Sequence, residues 1–235
     1  MSVFVASSRH SSAMEGIEGV IFDFGGTLDS RGDHWYHVMN RAYLQSDLSL
    51  SREAYVYGER NIAPLVTPTD TMFDFLVKKV ALQASHMGID ASGVAGRCYE
   101  SARECVGESA LTLGVLASRG YPMAVVSNFY GNLDAVLRDY GIRQYFAGVV
   151  DSGVVGVRKP DPAIFRLGLD LLGLPSGRVL VVGDSIDKDI LPASSLGCPT
   201  LLIEGGKPWS ESPRCRLPEG CIAVRGIEEL VGVIS

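Results

Sequence analysis

The apolar positions of this chain fall into two rhythms. Val20-Ile21-Phe22 is a short, continuous apolar run that ends in a lone carboxylate, Asp23, and then in Gly25-Gly26, where the backbone can turn. A run of that length bounded by turn residues predicts a buried strand. From about His34 to Val106 the apolar positions recur at helical spacing instead. The pattern predicts helices through Val38, Ala42 and Leu44, over Arg52–Glu59, over Thr69–Met87 with Met72, Phe73, Leu76, Val77, Val80 and Ala81 on one face, and over Asp90 to about Val106. From Glu108 helix and strand alternate. Leu111–Arg119, Leu133–Tyr140, Asp161–Leu172 and Lys188–Leu196 read as helices, and Met123–Val126, Phe146–Val150 and Val179–Val182 as strands. Thr200–Ile203 and Ile222–Val224 are predicted strands and Ile227–Val233 a closing helix, with a Gly-, Pro- and Ser-rich surface loop over Gly205–Gly220.

Alternation of strand and helix signals right-handed βαβ units, so the fold class is α/β: a Rossmann-like parallel sheet core. A purely helical block between the first strand and the later ones reads as an inserted helical cap. The expected division is a flexible, Ser-rich extension over 1–15, a core over 16–30 and 108–235, and a cap over 31–107.

Composition adds limits rather than identity. The chain has 235 residues and is 46% hydrophobic, enough for a sizeable core without covalent staples. Lys and Arg number 21 against 27 Asp and Glu, a net charge of −6, which argues against a nucleic-acid partner. The five cysteines, Cys98, Cys105, Cys198, Cys215 and Cys221, form no C-x-x-C pair and read as reduced packing residues of a cytoplasmic protein. No apolar run reaches membrane-spanning length and the N-terminus lacks a signal-peptide core, so no membrane partner is expected. Oligomeric state is left open.

Chemistry-bearing residues collect at predicted element ends: Asp23 after the first strand, Ser127-Asn128 after the second, Lys159 before a Pro-led helix, and Asp184 with Asp189 after Val179–Val182. The carboxyl edge of a parallel sheet brings such ends together. Taken singly, each has a plain structural explanation as a cap, turn or surface residue. Asp161, in an Asp-Pro helix start, reads as a cap, and His34 and His37, three apart with no third ligand, read as cap surface rather than a metal site.

Together the motifs resemble those of the haloacid dehalogenase superfamily, over the chain from about Gly19 onward. Asp23-Phe24-Gly25-Gly26-Thr27-Leu28 is similar to the family's first motif, Val126-Ser127-Asn128 to the second, Arg158-Lys159-Pro160-Asp161-Pro162 to the third, and Gly183-Asp184-Ser185 through Asp189 to the fourth. The resemblance implies a Mg²⁺-dependent phosphohydrolase for a small phosphorylated metabolite. Asp23 would be the nucleophile that forms an aspartyl-phosphate. Lys159 and Ser127 would assist catalysis, and Gly26, Thr27, Ser127, Asn128 and Lys159 would bind phosphate. Asp23, the Gly25 backbone carbonyl and Asp184 would hold the metal, with Asp189 a ligand or just behind one.

One position departs from that pattern. Two residues after the nucleophile, phosphatases of the family usually carry a second Asp as general acid/base, and here stands Gly25. General acid/base help contributes roughly 10² to 10⁴ in rate. Asp29, ahead of Asp33 and His34, is the expected surrogate, and acyl or aryl phosphates would need the acid least. Gly25 also keeps open a protein that binds or senses a phosphorylated ligand with little turnover. A lesser alternative is a phosphonate-cleaving hydrolase, which would use a cap lysine such as Lys78 or Lys79. Dehalogenase chemistry, which uses no magnesium, fits poorly with Asp184 and Asp189. Trp35, Tyr36 and Tyr43 are candidates for the substrate entrance.

Overall fold

The computed structural model describes residues 15–209 and 217–234. The expected 1–15 extension therefore falls almost wholly outside the described residues, as do Cys215 and the middle of the Gly205–Gly220 loop. Six parallel strands form one sheet in the order β3-β2-β1-β4-β5-β6, with β1 Gly19–Phe22, β2 Met123–Ser127, β3 Gly148–Asp151, β4 Val179–Gly183, β5 Thr200–Ile203 and β6 Ile222–Val224. Strand order reverses direction beside β1, between β2 and β4. In open α/β sheets a ligand crevice opens at that switch point, at the carboxyl ends of the strands.

Strands β1, β2, β4 and β5 are buried along their whole length, which is why they read as unbroken apolar runs rather than alternating ones. Val20 and Phe22 of β1 join a core with Met123, Val125, Leu180 and Val182. Ile21 faces the other layer with Ala124, Val126, Val181 and Phe165. The second layer is closed by α7 (Ala163–Leu172), whose Gly168 lies so near the sheet that a Cβ there would stand 2.7 Å from Val126 Cγ2 and 3.0 Å from Ile21 Cδ1.

Between β1 and β2 the described chain is helical, with α1 Trp35–Leu44, α2 Arg52–Asn61, α3 Met72–Met87 and α4 Val94–Ser118, while α5 Leu133–Asp139 precedes β3 and α6 Ser152–Val155 follows it. Thr71 opens α3 through a reciprocal capping box with Asp74, and Gly88 closes it in the left-handed conformation. The sequence pattern predicted two helices across 90–119; the structure has one. Helix α4 runs 25 residues without a break, through the Gly107-Glu108 junction where the rhythm changed. Its buried positions, Cys98, Ala102, Cys105, Ser109, Thr112 and Leu116, keep a single phase. One interior glycine costs a helix only about 1 kcal/mol, less than that continuous burial returns. The Ser109 hydroxyl donates to the Leu28 carbonyl at 2.8 Å and so ties mid-helix to the loop after β1.

Three shorter differences follow the same logic of local geometry. The helix expected from Asp161 begins at Ala163, with Asp161 accepting the Ala163 N–H at 2.9 Å. The segment expected as a helix over Lys188–Leu196 is a wide π-turn, Ile186–Ile190, running into α8 Leu191–Ser195. The chain closes with a 3₁₀ turn, Ile227–Glu229, before α9 Leu230–Val233.

Overpacking the α7–sheet contact should be costly. Gly168→Ala is expected to lower stability by about 1–3 kcal/mol in urea unfolding, and a change below about 0.5 kcal/mol would show that α7 is free to slide.

Candidate active site

The sheet places its polar termini side by side. Asp23 leaves β1, Ser127 ends β2, and Gly183-Asp184 ends β4, and β1 is hydrogen-bonded to both of its neighbours. Lys159, in the loop before α7, reaches this edge from below. Its ammonium lies 2.5 Å from Asp23 Oδ1 and 2.6 Å from Asp189 Oδ1, and all three side chains are almost wholly buried. Burial alone opposes the lysine's charge, but the two carboxylates outweigh it and raise its pKa. Asp189 comes from the π-turn, where its second oxygen accepts the Ser185 N–H at 3.1 Å.

Asp23, Asp184 and Asp189 present carboxylate oxygens that lie within 4.8 Å of one another. Burial, then repulsion from Asp189 and Asp23, raises the pKa of Asp184, and burial with repulsion from Asp23 raises that of Asp189; Lys159 and backbone hydrogen bonds pull the other way without cancelling the rise. Three carboxylates against one ammonium leave an excess of buried negative charge. A hard divalent cation fits that donor set, because oxygen ligands of this kind suit Mg²⁺ and would remove the repulsion.

The other predicted residues divide. Ser127 and Gly25 line the cavity above the cluster, as do Asp23, Asn128, Lys159, Asp184 and Asp189. The Asn128 side chain is occupied, however: its Nδ2 donates to the Lys159 carbonyl at 3.0 Å and its Oδ1 accepts the Lys159 N–H at 2.9 Å. It clamps the lysine's backbone, which leaves only its own backbone for a phosphate. Gly26 and Thr27 do not line the cavity. Thr27 Oγ1 makes a long contact, 3.5 Å, with Asp184, and Gly26 has φ +100 with its α-carbon against the Asp184 carboxyl, where any Cβ would overlap.

Gly25 is different. It does not lie in the left-handed region, and a Cβ there would meet only Trp35 Cδ1 and Nε1, at an ordinary 3.8 Å. The backbone therefore does not demand glycine at this position. Asp29, expected as the surrogate acid, is fully enclosed and does not line the cavity. Its Oδ1 accepts the Gly26 N–H and its Oδ2 accepts Trp35 Nε1–H, both at 2.8 Å. With both oxygens engaged it cannot reach a leaving group; it braces the turn and holds the indole over Gly25. Burial pushes its pKa up to about 7. Asp33 is likewise withdrawn, ion-paired to Arg41 and accepting the Lys207 N–H. His34 does line the cavity, but its Nδ1 caps α1 by accepting the Tyr36 N–H, and burial lowers its pKa to about 4.

The far wall of the same cavity, about 750 Å³ in volume, comes from the helical block. The pattern of α2 and α3 marked packing faces and missed what they carry. Glu59 and Lys79 form an ion pair there, Tyr130 donates its hydroxyl to Glu59, and the Lys79 ammonium lies 5.3–5.9 Å from the ring centres of Tyr55, Phe75 and Tyr130. Burial opposes the Glu59 charge, yet Lys79 and the phenols hold its pKa down to about 2. A polar residue one turn after an aromatic, Tyr55 to Glu59 and Phe75 to Lys79, was the available signal. Lys78 instead pairs with Asp70 away from the cavity. Trp35 lines the cavity as expected, whereas Tyr43 is core, donating to Gln83 Oε1 at 3.2 Å.

A family model of the haloacid dehalogenase-like hydrolases matches residues 17–197. The phosphoglycolate phosphatase of Yersinia pseudotuberculosis is 27% identical over 226 residues, covering 88% of this chain and 89% of that protein. Haloacid dehalogenase-like hydrolase domain-containing protein 3 of Danio rerio is 40% identical over 94 residues, 40% of this chain and 39% of that one. Among solved structures, a dehalogenase with an intermediate complex superimposes with a TM-score of 0.65 at 20% identity, covering 93% of this chain and 97% of that one. A predicted phosphoglycolate phosphatase from Haemophilus somnus gives 0.55 at 21%, covering 94% and 99%. At such identities the structural likeness concerns the fold alone.

Two tests address the turn. Gly25→Ala should unfold in urea within about 1 kcal/mol of wild type, whereas Gly26→Ala, strained in φ and overlapping Asp184, should lose roughly 2 kcal/mol or more; equal effects would mean the turn is not held as described. The raised Asp29 pKa has a sign as well. The unfolded chain releases that proton near pH 3.8 and the folded one near 7, so this carboxyl's contribution to stability is intact below the lower value and lost as pH rises through the window. Relative to Asp29→Asn, wild-type stability should fall between about pH 4 and 7 by roughly 1.4 kcal/mol per unit; parallel curves would refute the shift.

Proposed function

The chain belongs to the haloacid dehalogenase-like hydrolases, and on that premise we propose that it is a magnesium-dependent phosphohydrolase acting on a small phosphorylated metabolite through an aspartyl-phosphate on Asp23. The observation that carries the proposal is the placement of Asp23, at the sheet's switch point, bonded to Lys159 and grouped with Asp184 and Asp189. The acidic trio also favours this chemistry over metal-free dehalogenation. Asp23, Asp184, Asp189 and the Gly25 carbonyl would hold the ion, which supplies neutralisation of the phosphate's charge.

The chain's own residues do the rest. Lys159 fixes one Asp23 oxygen and places a positive charge where a phosphate dianion must approach the carboxylate. The Ser127 hydroxyl donates to a phosphate oxygen. An Asp23 oxygen bonds to phosphorus as the bond from phosphorus to the ester oxygen breaks, its electron pair leaving on that oxygen. Water then cleaves the acyl-phosphate and restores the carboxylate. The helical block acts as a cap that limits water and selects the substrate. The described cysteines are free thiols, as a reducing cytoplasm would keep them.

Gly25 supports a second reading, a protein that binds a phosphorylated ligand with little turnover, since Asp29 and Asp33, the acidic residues that follow it in sequence, do not line the cavity. A phosphonate-cleaving role has less support: the Lys79 ammonium is held in an ion pair by Glu59, whereas that chemistry needs a free amine.

Hydrolysis of phenyl phosphate in Mg²⁺ should be measurable and should vanish in Asp23→Asn; no turnover of a broad ester panel, together with tight ligand binding, would favour the second reading. Because the site at Gly25 is sterically open, Gly25→Asp should speed alkyl-ester hydrolysis by up to roughly 10²-fold while changing phenyl phosphate turnover far less. Equal gains on both esters would show that an acid is not what the site lacks.

A further inference from the structure

Lys79 is a buried charge with donors to spare. An ammonium carries three N–H groups, and Lys79 has one hydrogen-bond partner among the described residues, Glu59. It is 3% exposed, yet it lines the cavity that Asp23 opens into. The rings of Tyr55, Phe75 and Tyr130 stand 5.3–5.9 Å from its ammonium, Phe129 packs on Phe75 and Tyr130, Trp209 packs on Tyr55, and Trp35 lines the same cavity. These rings pack on one another with centroids 5.0–5.8 Å apart and make one aromatic wall of the cavity, a surface that suits a flat group rather than a short, hydrated acid. The ion pair with Glu59 cancels the lysine's charge, so the remaining donors suit a neutral acceptor better than a carboxylate.

The opposite end of the cavity points to the same class. Gly25 offers no acid, and Asp29 and Asp33, the acidic residues that follow it in sequence, do not line the cavity, so a leaving oxygen that needs no protonation suits the site. A phenolic oxygen, with a pKa of about 10, leaves as the anion far more readily than an alkoxide.

We infer that the substrate is an aryl or heteroaryl phosphate whose ring lies among these aromatic residues and carries a neutral hydrogen-bond acceptor read by Lys79. This rests on the phosphohydrolase reading for its chemistry. The bond from phosphorus to the aryl oxygen breaks with its electron pair on that oxygen, and the aryloxide takes its proton from water after release.

Binding tests the inference apart from turnover. Dissociation constants for 4-acetylphenyl phosphate, phenyl phosphate and 2-phosphoglycolate are measured on the Asp23→Asn protein with Mg²⁺, which cannot consume them. They are repeated with Lys79→Met added. Because that change strands the Glu59 carboxylate, a third protein carries Lys79→Met together with Glu59→Gln. The expected result is that 4-acetylphenyl phosphate binds most tightly and loses roughly 10- to 100-fold, one hydrogen bond to a charged donor, when the lysine is removed, while phenyl phosphate changes less than about twofold. Tighter binding of 2-phosphoglycolate, an equal loss on both ring esters, or no binding of any would overturn it. If instead this pattern appears and wild type hydrolyses none of the three, the ligand class stands and the phosphohydrolase reading fails.

Discussion

Everything at the carboxyl edge of the sheet depends on one buried ammonium. Lys159 sits between Asp23 and Asp189 with almost no solvent, and a lone charge there would cost several kcal/mol. The two carboxylates make the position tenable, and in return three separate pieces of chain are fixed to one another: the end of β1, the loop before α7 and the π-turn after β4. Asn128 adds the fourth piece by clamping the lysine's backbone from the end of β2. Asp184 lies next to this arrangement, and burial, then the charges of Asp189 and Asp23, raises its pKa. Asp23, Asp184 and Asp189 together could hold a metal ion.

The turn after β1 solves a second problem. Gly26 must be glycine because the Asp184 carboxyl occupies the space of a side chain, but Gly25 need not be. What stands over Gly25 is the Trp35 indole, held by Asp29. An acidic residue near Asp23 in sequence is thus a brace, enclosed and outside the lining of the cavity. That indole lines the same cavity as the rings of Tyr55 on α2, Phe75 on α3 and Phe129 and Tyr130 after β2.

Much of this architecture was legible along the chain. Strands buried on both faces announce themselves as short apolar runs, and the carboxylates and serine at the ends of those runs, with the lysine before a Pro-led helix, stood out as candidates only when read together. The break expected near Glu108 was not real, because a change in the rhythm of neighbouring elements says nothing about whether a helix stops there. Continuity was decided by a single buried stripe along α4 and by the Ser109 contact with Leu28. Asp29 was misjudged for a related reason: closeness in sequence does not reveal which way a carboxylate points once the loop has folded.

By itself the sequence determined the α/β class, the all-helical segment between β1 and β2, and the set of polar residues at strand ends, since these follow from period and punctuation. Only the tertiary structure decided that Lys159 would bridge Asp23 and Asp189, that Asn128 would hold the lysine's backbone, and that Lys79 rather than Lys78 would turn inward to Glu59 among aromatic rings. Adjacent residues on α3 look alike in a pattern of charges. Which of them loses its water depends on the helix packed opposite, and that information lies some twenty positions away in the chain, in Tyr55 and Glu59.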